Sequence, residues 1–405
     1  MTRLTDEQLE IRALAREFAL GELRPHAEAW DAARALPEEV FRGLADIGFL
    51  GLRAPEAHGG LDLDLPTALL AVEALAWGEA AVGLSVGIHA GPVTRALLTA
   101  GTPAQQSRWL PGLADGSCLG AFALSESEAG SDVGAVALRA EAADDGWILT
   151  GEKRWVTNGV RAGLLVVFAR TGAPAEADTP ATEGLTAFLV EGGADGIRVV
   201  GRERTLGLCA SETVTLAFEG VRIPEDARLG SVGEGWSVAR DALVHGRLFV
   251  AAQALGIAQA AQEHAVRYAG EREQFGRSLD AFGGIQEKLA GMAIRIAQAR
   301  ALLLETAVRV DAAGLDLRGD GVSEGALHHP ASLEAAAAMA KVTASEAAMW
   351  VSDEAVQIFG GYGYMRDYPV EKLMRDAKGT EIYEGTSEVL RWVIARELVR
   401  EAAGG

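Results

Sequence analysis

The 405-residue chain is 49% apolar and 23% charged, more than a single hydrophobic core usually supports, so two or three packed units able to enclose a deep pocket are expected. A formal net charge of −20 repels polyanions and argues against nucleic acid or an anionic membrane surface as partner. Two cysteines, Cys118 and Cys209, are too few for a disulfide framework and suit a reducing compartment.

In chain order, the N-terminus has no apolar signal region. Its Thr5-x-x-Gln8 spacing, followed by Leu9, Leu14 and Phe18, predicts a capped amphipathic helix and a cytoplasmic protein. Helical periodicity continues to about residue 115, broken by the turn signals "APEAHGGLDLDLP" and "AGTPAQQ". The Ala/Leu/Val-rich stretch 68–100 carries Glu73, Glu79, His89 and Pro92 and falls short of a membrane span. From Cys118 the texture changes to short β-rich runs separated by turn pairs such as Asp145-Gly146 and Asn158-Gly159, which predicts an antiparallel barrel or sandwich. The polar segment 171–184 reads as a surface loop between strands. After "VGEGW" helical spacing returns near 235–270, 284–312, 331–359 and 386–402, a four-helix bundle. The fold class expected is α+β, with domains at 1–117, 118–230 and 231–405 and no internal repeat. His328 and His329 lack ligand-spaced partners and read as part of a solvated loop, so no metal site is expected.

Four motifs carry candidate chemistry. "AFALSESEAGSDVGA" ends a strand with Ser125, Gly130 and Ser131, whose backbone N–H groups can hold a phosphate or heterocycle edge, although an ordinary β-turn has the same composition. In "KRWVTNG", Trp155 and Thr157 alternate on one strand face, where a tryptophan is more often core than cofactor wall. "GEREQFGRSL" puts Arg272 and Phe275 at a helix end; the arginine can pair with a pyrophosphate or complement the macrodipole. "QIFGGYGYMRDYPVEKLMRDAK" ends a helix carrying Gln357 at paired glycines that permit close backbone approach. A fifth stretch, "EIYEGTSEVLR", sets Glu384 directly before Gly385 and a new helix start.

With these motifs in this order and spacing, the chain resembles the acyl-CoA dehydrogenase family over nearly its full length. "GRLFVAAQALGIAQAA" and "AMAKVTASEAA" are most similar to its branch acting on short straight or branched acyl chains. The resemblance implies FAD between the β domain and the bundle, an acyl-CoA thioester beside its ring, a homotetramer built as a pair of dimers, and electron-transferring flavoprotein as acceptor. By position it implies flavin or substrate contacts from Phe122, Leu124, Ser125, Gly130 and Ser131, with Trp155 and Thr157 walling the ring. Arg272, Phe275, Gln357 and Gly361 are implied at the adenine and pyrophosphate end of a neighbouring subunit's FAD. Thr386 and Glu388 complete the pocket, and Arg247, Tyr383 and Gly385 are implied beside the substrate.

Glu384 holds the position of the family's base, which removes the substrate α-proton while the β-hydrogen leaves as hydride to flavin N5. A thioester α-C–H is a weak acid, so the developing enolate needs hydrogen bonds at its carbonyl oxygen; a backbone N–H of the Glu384 segment and a ribityl hydroxyl are the expected donors. An apolar pocket would raise the carboxyl pKa toward working pH. The family's alternative location for the base falls on Gly246, which cannot serve. Departures are Ser125 for threonine, Ser127 for proline, Glu128 for glycine, Cys209 for arginine and Gly283 for glutamine. Competing readings are a relative acting on a carrier-protein thioester or using oxygen, and a non-catalytic flavoprotein associated with nucleic acid.

Overall fold

A computed structural model describes residues 4–172, 181–314 and 332–403. His328, His329, most of the 171–184 loop and the 315–331 connection lie outside the described residues.

Seven α-helices come first: α1 (Asp6–Phe18), α2 (Ala27–Ala33), α3 (Glu38–Asp46), α4 (Leu65–Gly78), α5 (Ala80–Ile88), α6 (Thr94–Ala100) and α7 (Pro103–Asp115). The Thr5 hydroxyl accepts from Gln8 N while Gln8 returns its side-chain oxygen to Thr5 N, the capping box its spacing predicts. Thr102 and Gln105 open α7 in the same way. Helices α4 and α5 are apolar on every face and are buried along their whole length, as a helix without a polar face must be. Contrary to the expectation from its interrupting residues, the stretch Ala80–Ala100 is long and apolar enough to cross a membrane, yet 94% of its 18-residue apolar window is buried within the protein.

Strands β1 (Leu119–Ala123), β2 (Arg139–Ala143), β3 (Gly146–Val156), β4 (Ala162–Arg170), β5 (Leu185–Glu191), β6 (Ile197–Arg202), β7 (Val214–Pro224) and β8 (Arg228–Leu229) form one sheet in the order β6-β7-β3-β2-β4-β5-β8, with β1 paired to β4. Most pairs are antiparallel, but β1 runs parallel to β4, a pairing that alternation along single strands cannot reveal. The run "LLVVFA" in β4 is apolar at every position because both faces are covered. Leu164, Val166 and Phe168 join the core shared with the helices, while Leu165, Val167 and Ala169 join a second core with Phe188, Val190 and Phe218.

The 37-residue α8 (Gly235–Glu271) then crosses the molecule, followed by a hairpin of β9 (Glu273–Gln274) and β10 (Arg277–Ser278), then α9 (Gly283–Ala312), α10 (Leu333–Phe359), α11 (Pro369–Thr380) and α12 (Ser387–Ala402). The run after the paired glycines is thus itself helical in α11: Pro369 presets the first turn, and Val370, Leu373 and Ala377 bury one stripe. Small residues let α8 approach α4 closely; a Cβ on Gly256 would collide with the Glu73 carbonyl.

Buried charge ties the units together. Lys372 of α11 donates to Glu79 Oε1 at 3.0 Å and to Asp376 Oδ2 at 2.7 Å, while Asp376 Oδ1 accepts from Leu208 N in the loop after β6. One network therefore joins the first helical unit, the sheet unit and the bundle. Removing one partner from a buried ion pair strands the other. Asp376→Ala is accordingly expected to cost on the order of 3–5 kcal/mol, read as a lowered urea midpoint; an unchanged midpoint would show that the network is not a structural tie.

Candidate active site

The turn between α11 and α12 is built from backbone constraints. Ile382 N and Tyr383 N both donate to Gly379 O, Ser387 N closes the turn on Glu381 O, and the Thr386 hydroxyl caps α12 by accepting from Val389 N. Between these anchors Glu384 and Gly385 are both left-handed, with φ of 55° and 96°. Glycine takes that conformation freely, whereas a glutamate held there costs of order 1 kcal/mol or more and persists only where its surroundings impose it. The Glu384 N–H makes no hydrogen bond within the described residues.

Tyr383 is pinned by its phenol, which donates to Gln253 Oε1 of α8 at 2.8 Å; Gln253 Nε2 donates in turn to Ala80 O. Glu384 is consequently turned onto α8. A Cβ added to Gly246 would lie 2.6 Å from Glu384 Oε2, so the glycine is what admits the carboxylate. The residue keeps some exposure, but Oε2 is sealed from solvent and has no hydrogen-bond partner among the described residues. Burial pushes the Glu384 carboxyl up to about 7, against the opposing pull of Arg247 and Lys341. Arg247 is also buried; its Nη1 lies 3.6 Å from Glu334 Oε1, and among the described residues its Nε and Nη1 lack hydrogen-bond partners. Desolvation lowers the Arg247 pKa, while Glu334 and Glu384 favour its charge.

The second component is the turn after β1. The fully buried Lys153 of β3 donates to Leu124 O at 2.8 Å and to Glu126 Oε1 at 2.7 Å, and the Glu126 carboxylate accepts from Ala137 N and Leu138 N. Arg154 N donates to Ser125 O, so β3 holds the end of β1 by backbone as well. The loop leaves Gly130 and Ser131 exposed, and no atom lies within 4 Å of a Cβ built on Gly130. Ser127, in the place of the proline, accepts from Arg154 Nη1. Phe122 and Leu124 face the shared core.

Trp155 and Thr157 do not alternate on a regular strand face. The β3–β7 register slips between Lys153 and Val156, Trp155 is left-handed with φ of 57°, and Thr157 lies in the following turn. This irregularity turns the Trp155 ring outward, 48% exposed beside the Ser125 turn, instead of into the sheet core. Asn158, also left-handed, docks the turn on α5 and β1 by donating to Ser85 O and Gly120 O.

Arg272, Phe275, Gln357 and Gly361 lie at a different place. Helix α8 stops at Glu271, because Arg272 turns extended and Phe275 takes a left-handed φ of 53° at the hairpin tip; Arg272 and Phe275 therefore sit beyond the helix end. Arg272 and Gly361 line a cleft of about 440 Å³ with Tyr268, Phe359 and Tyr362, and the Arg272 guanidinium stands 5.5 Å from the Tyr362 ring centre. Phe275 and Gln357 are exposed. At the main site, Thr386 is spent as a cap and Glu388 is exposed, its carboxyl held low chiefly by hydrogen bonding at the start of α12. Cys209, where an arginine is usual, lies 3.6 Å from Arg375 Nη1, so Arg375, paired with Asp31 and Glu371, already supplies the positive charge there. Open space surrounds Gly283.

Sequence reasoning missed Lys341, Gln253 and the Lys153–Glu126 pair. A lysine inside the small-residue run "AMAKVTAS" and another on a β-strand were the available signals, since a buried lysine always needs an acceptor.

The chain matches the acyl-CoA dehydrogenase N-terminal domain over residues 5–117, the middle domain over 121–221 and the C-terminal domain over 233–399. It is 40% identical over 396 residues to an acyl-CoA dehydrogenase of Bacillus subtilis, covering 98% of this chain and 99% of that one. The structure of butyryl-CoA dehydrogenase from Megasphaera elsdenii superposes with a TM-score of 0.90 at 37% identity, covering 98% and 100% of the two chains. A chain from structural work on the electron transferring flavoprotein of Acidaminococcus fermentans superposes equally well, with a TM-score of 0.90 at 39% identity over 99% and 100%. Together with a helical unit, a β-sheet unit and a helical bundle in that order, these likenesses establish that the chain belongs to the acyl-CoA dehydrogenase family and is an oxidoreductase of that class.

Proposed function

We propose that this enzyme converts a short acyl-CoA to its trans-2-enoyl-CoA, with Glu384 as the base that takes the α-proton. The observation that carries this reading is the solvent-sealed, unpartnered Oε2 of Glu384, turned onto Gly246 and raised to about 7 by burial. A carboxylate so placed lacks competing donors and has a proton affinity suited to accepting a proton near neutrality. The free N–H of Glu384 is a donor for the thioester carbonyl oxygen, where the enolate charge develops. Tyr383 and Gly385 line the approach on either side of the base, and Arg247 supplies positive charge beneath it.

FAD fits the residues present and would supply the acceptor for the β-hydride at its N5 atom. The exposed Trp155 ring, the Thr157 turn and the Ser125–Ser131 backbone would hold its ring from the sheet side, with Gly130 leaving room for close approach and Phe122 and Leu124 offering backbone at the end of β1. Thr386 and Glu388 would close the bundle side. Arg272 and Gly361, which share the cleft beyond the end of α8, together with Phe275 and Gln357, are assigned to the adenine and pyrophosphate end of a neighbouring subunit's FAD in a homotetramer. The likeness to butyryl-CoA dehydrogenase supports a short acyl chain, and that to a chain from electron transferring flavoprotein work supports such a flavoprotein as acceptor. A cytoplasmic location and division into 1–117, 118–230 and 231–405 complete the proposal.

Anaerobic addition of butyryl-CoA is expected to bleach the flavin band, and Glu384→Gln to keep the band while losing the bleaching; rapid bleaching of the variant would refute Glu384 as base. Because the ionised carboxylate is the active form, kcat/KM should climb as pH rises through about 7 and level off above it. A profile flat from pH 5.5 to 8 would contradict the proposed pKa. Gly246→Ala should displace the carboxylate and lower kcat by about 100-fold with FAD retained; a fully active variant would show that Glu384 reacts from another position.

A further inference from the structure

Three lysines are buried among the described residues, and two are neutralised in a familiar way. Lys153 donates to Glu126 at 2.7 Å, and Lys372 donates to both Glu79 and Asp376. Lys341 of α10, equally shut off from solvent, differs: its Nζ donates 2.8 Å to the carbonyl oxygen of Gly385, and no carboxylate lies within ion-pair distance among the described contacts. An ammonium held on one amide carbonyl is a costly arrangement for stability alone, since the desolvation of the charge is not offset by a nearby opposite charge. Its acceptor is the carbonyl immediately after the left-handed Glu384, at the apex of the turn.

We propose that Lys341 is a positioning residue for the base: from beneath the turn it fixes the Gly385 peptide, and with it the direction of the Glu384 side chain, while its charge favours the ionised carboxylate. The inference rests on the reading of Glu384 as base. The two left-handed residues leave the peptide between Gly385 and Thr386 as the point where the turn can flip, because Thr386 is already fixed as a cap and Tyr383 by Gln253. A single donor from α10 locks that peptide. The charges facing Lys341 are Glu384 from the turn, Arg247 from α8, Glu381 from the end of α11 and Glu388 from α12. Burial pulls Lys341 down to about 8, with Glu384 the largest influence opposing it. Between about 7 and 8 the base is thus ionised while its neighbour is still charged.

Lys341→Met, which removes donor and charge, and Lys341→Gln, which keeps an N–H donor without charge, separate the two contributions in the FAD-loaded enzyme. Both are expected to retain the flavin spectrum. In the Met variant kcat falls about tenfold or more, and in both variants the acid limb of kcat/KM moves up by about one pH unit. The Gln variant recovers most of the lost kcat but not the limb. The protonated carboxyl stretch of Glu384, identified by infrared difference against Glu384→Gln, should show the same upward move without any turnover. An unmoved limb and an unmoved carboxyl titration in both variants would overturn the role of Lys341. Loss of bleaching in Glu384→Gln alongside that outcome would leave the base assignment standing, whereas bleaching in that variant would remove the base assignment itself.

Discussion

A carboxylate deprived of water at a left-handed turn is the constraint around which this protein is arranged. Left to itself, a glutamate ahead of a helix start would point outward and stabilise the macrodipole. Here Tyr383 is pinned to Gln253, Thr386 is committed as a cap, and Gly246 clears the space the side chain enters. The result has a thermodynamic sign. With its folded pKa raised to about 7 against an ordinary 4.5, Glu384 favours the fold most below about pH 4.5, and that contribution is lost as pH rises through about 7. Glu384 is therefore least comfortable in the ionised state that the proposed chemistry uses, and the surrounding structure sustains it.

Each architectural unit contributes one part of that support. The long α8 carries Gly246, Arg247 and Gln253, so the opening for Glu384, the positive charge beside it and the anchor for Tyr383 are set by one rigid element. Helix α10 brings Lys341 beneath the turn, and within the sheet unit Lys153 fixes the Ser125 loop through Leu124 O. Among the described residues the first helical unit makes no hydrogen bond to Glu384, but it receives Gln253 at Ala80 and Asn158 at Ser85, and it holds Lys372 through Glu79. Buried polar links of this kind cost much when broken singly, which fixes the relative placement of the three units.

Much of this was legible in the sequence where a local rule decides the outcome. The Thr5 capping box follows from short-range geometry, and the helix–sheet–helix order follows from the change of hydrophobic period. The turn expected at Asp145-Gly146 is displaced by one residue, its two loop residues being Asp144 and Asp145 with Gly146 already paired in β3. Glu384 was legible as the candidate base through the resemblance of "EIYEGTSEVLR" and its companion motifs to the family; local rules alone make an acid at a helix start a solvated charge complementing the macrodipole. What was not legible depends on contacts between distant segments. The parallel β1–β4 pairing joins residues more than forty positions apart. The outward Trp155 arises from a register slip that alternation cannot predict, and α11 was obscured by its basic and aromatic composition. Gly246 looked only like a position unable to act as base; its spatial role appears when Glu384 is folded against it. Lys341 was hidden for the same reason, since its acceptor lies 44 residues away.

The most direct test is hydrogen exchange at the substrate α-carbon with a thioester that cannot yield a β-hydride, such as a 3-thia-acyl-CoA, followed by proton NMR in deuterium oxide. The FAD-loaded enzyme should exchange the α-hydrogens, and Glu384→Gln should leave them in place. Undiminished exchange in the variant would contradict the account, because the proton would then leave by way of another group.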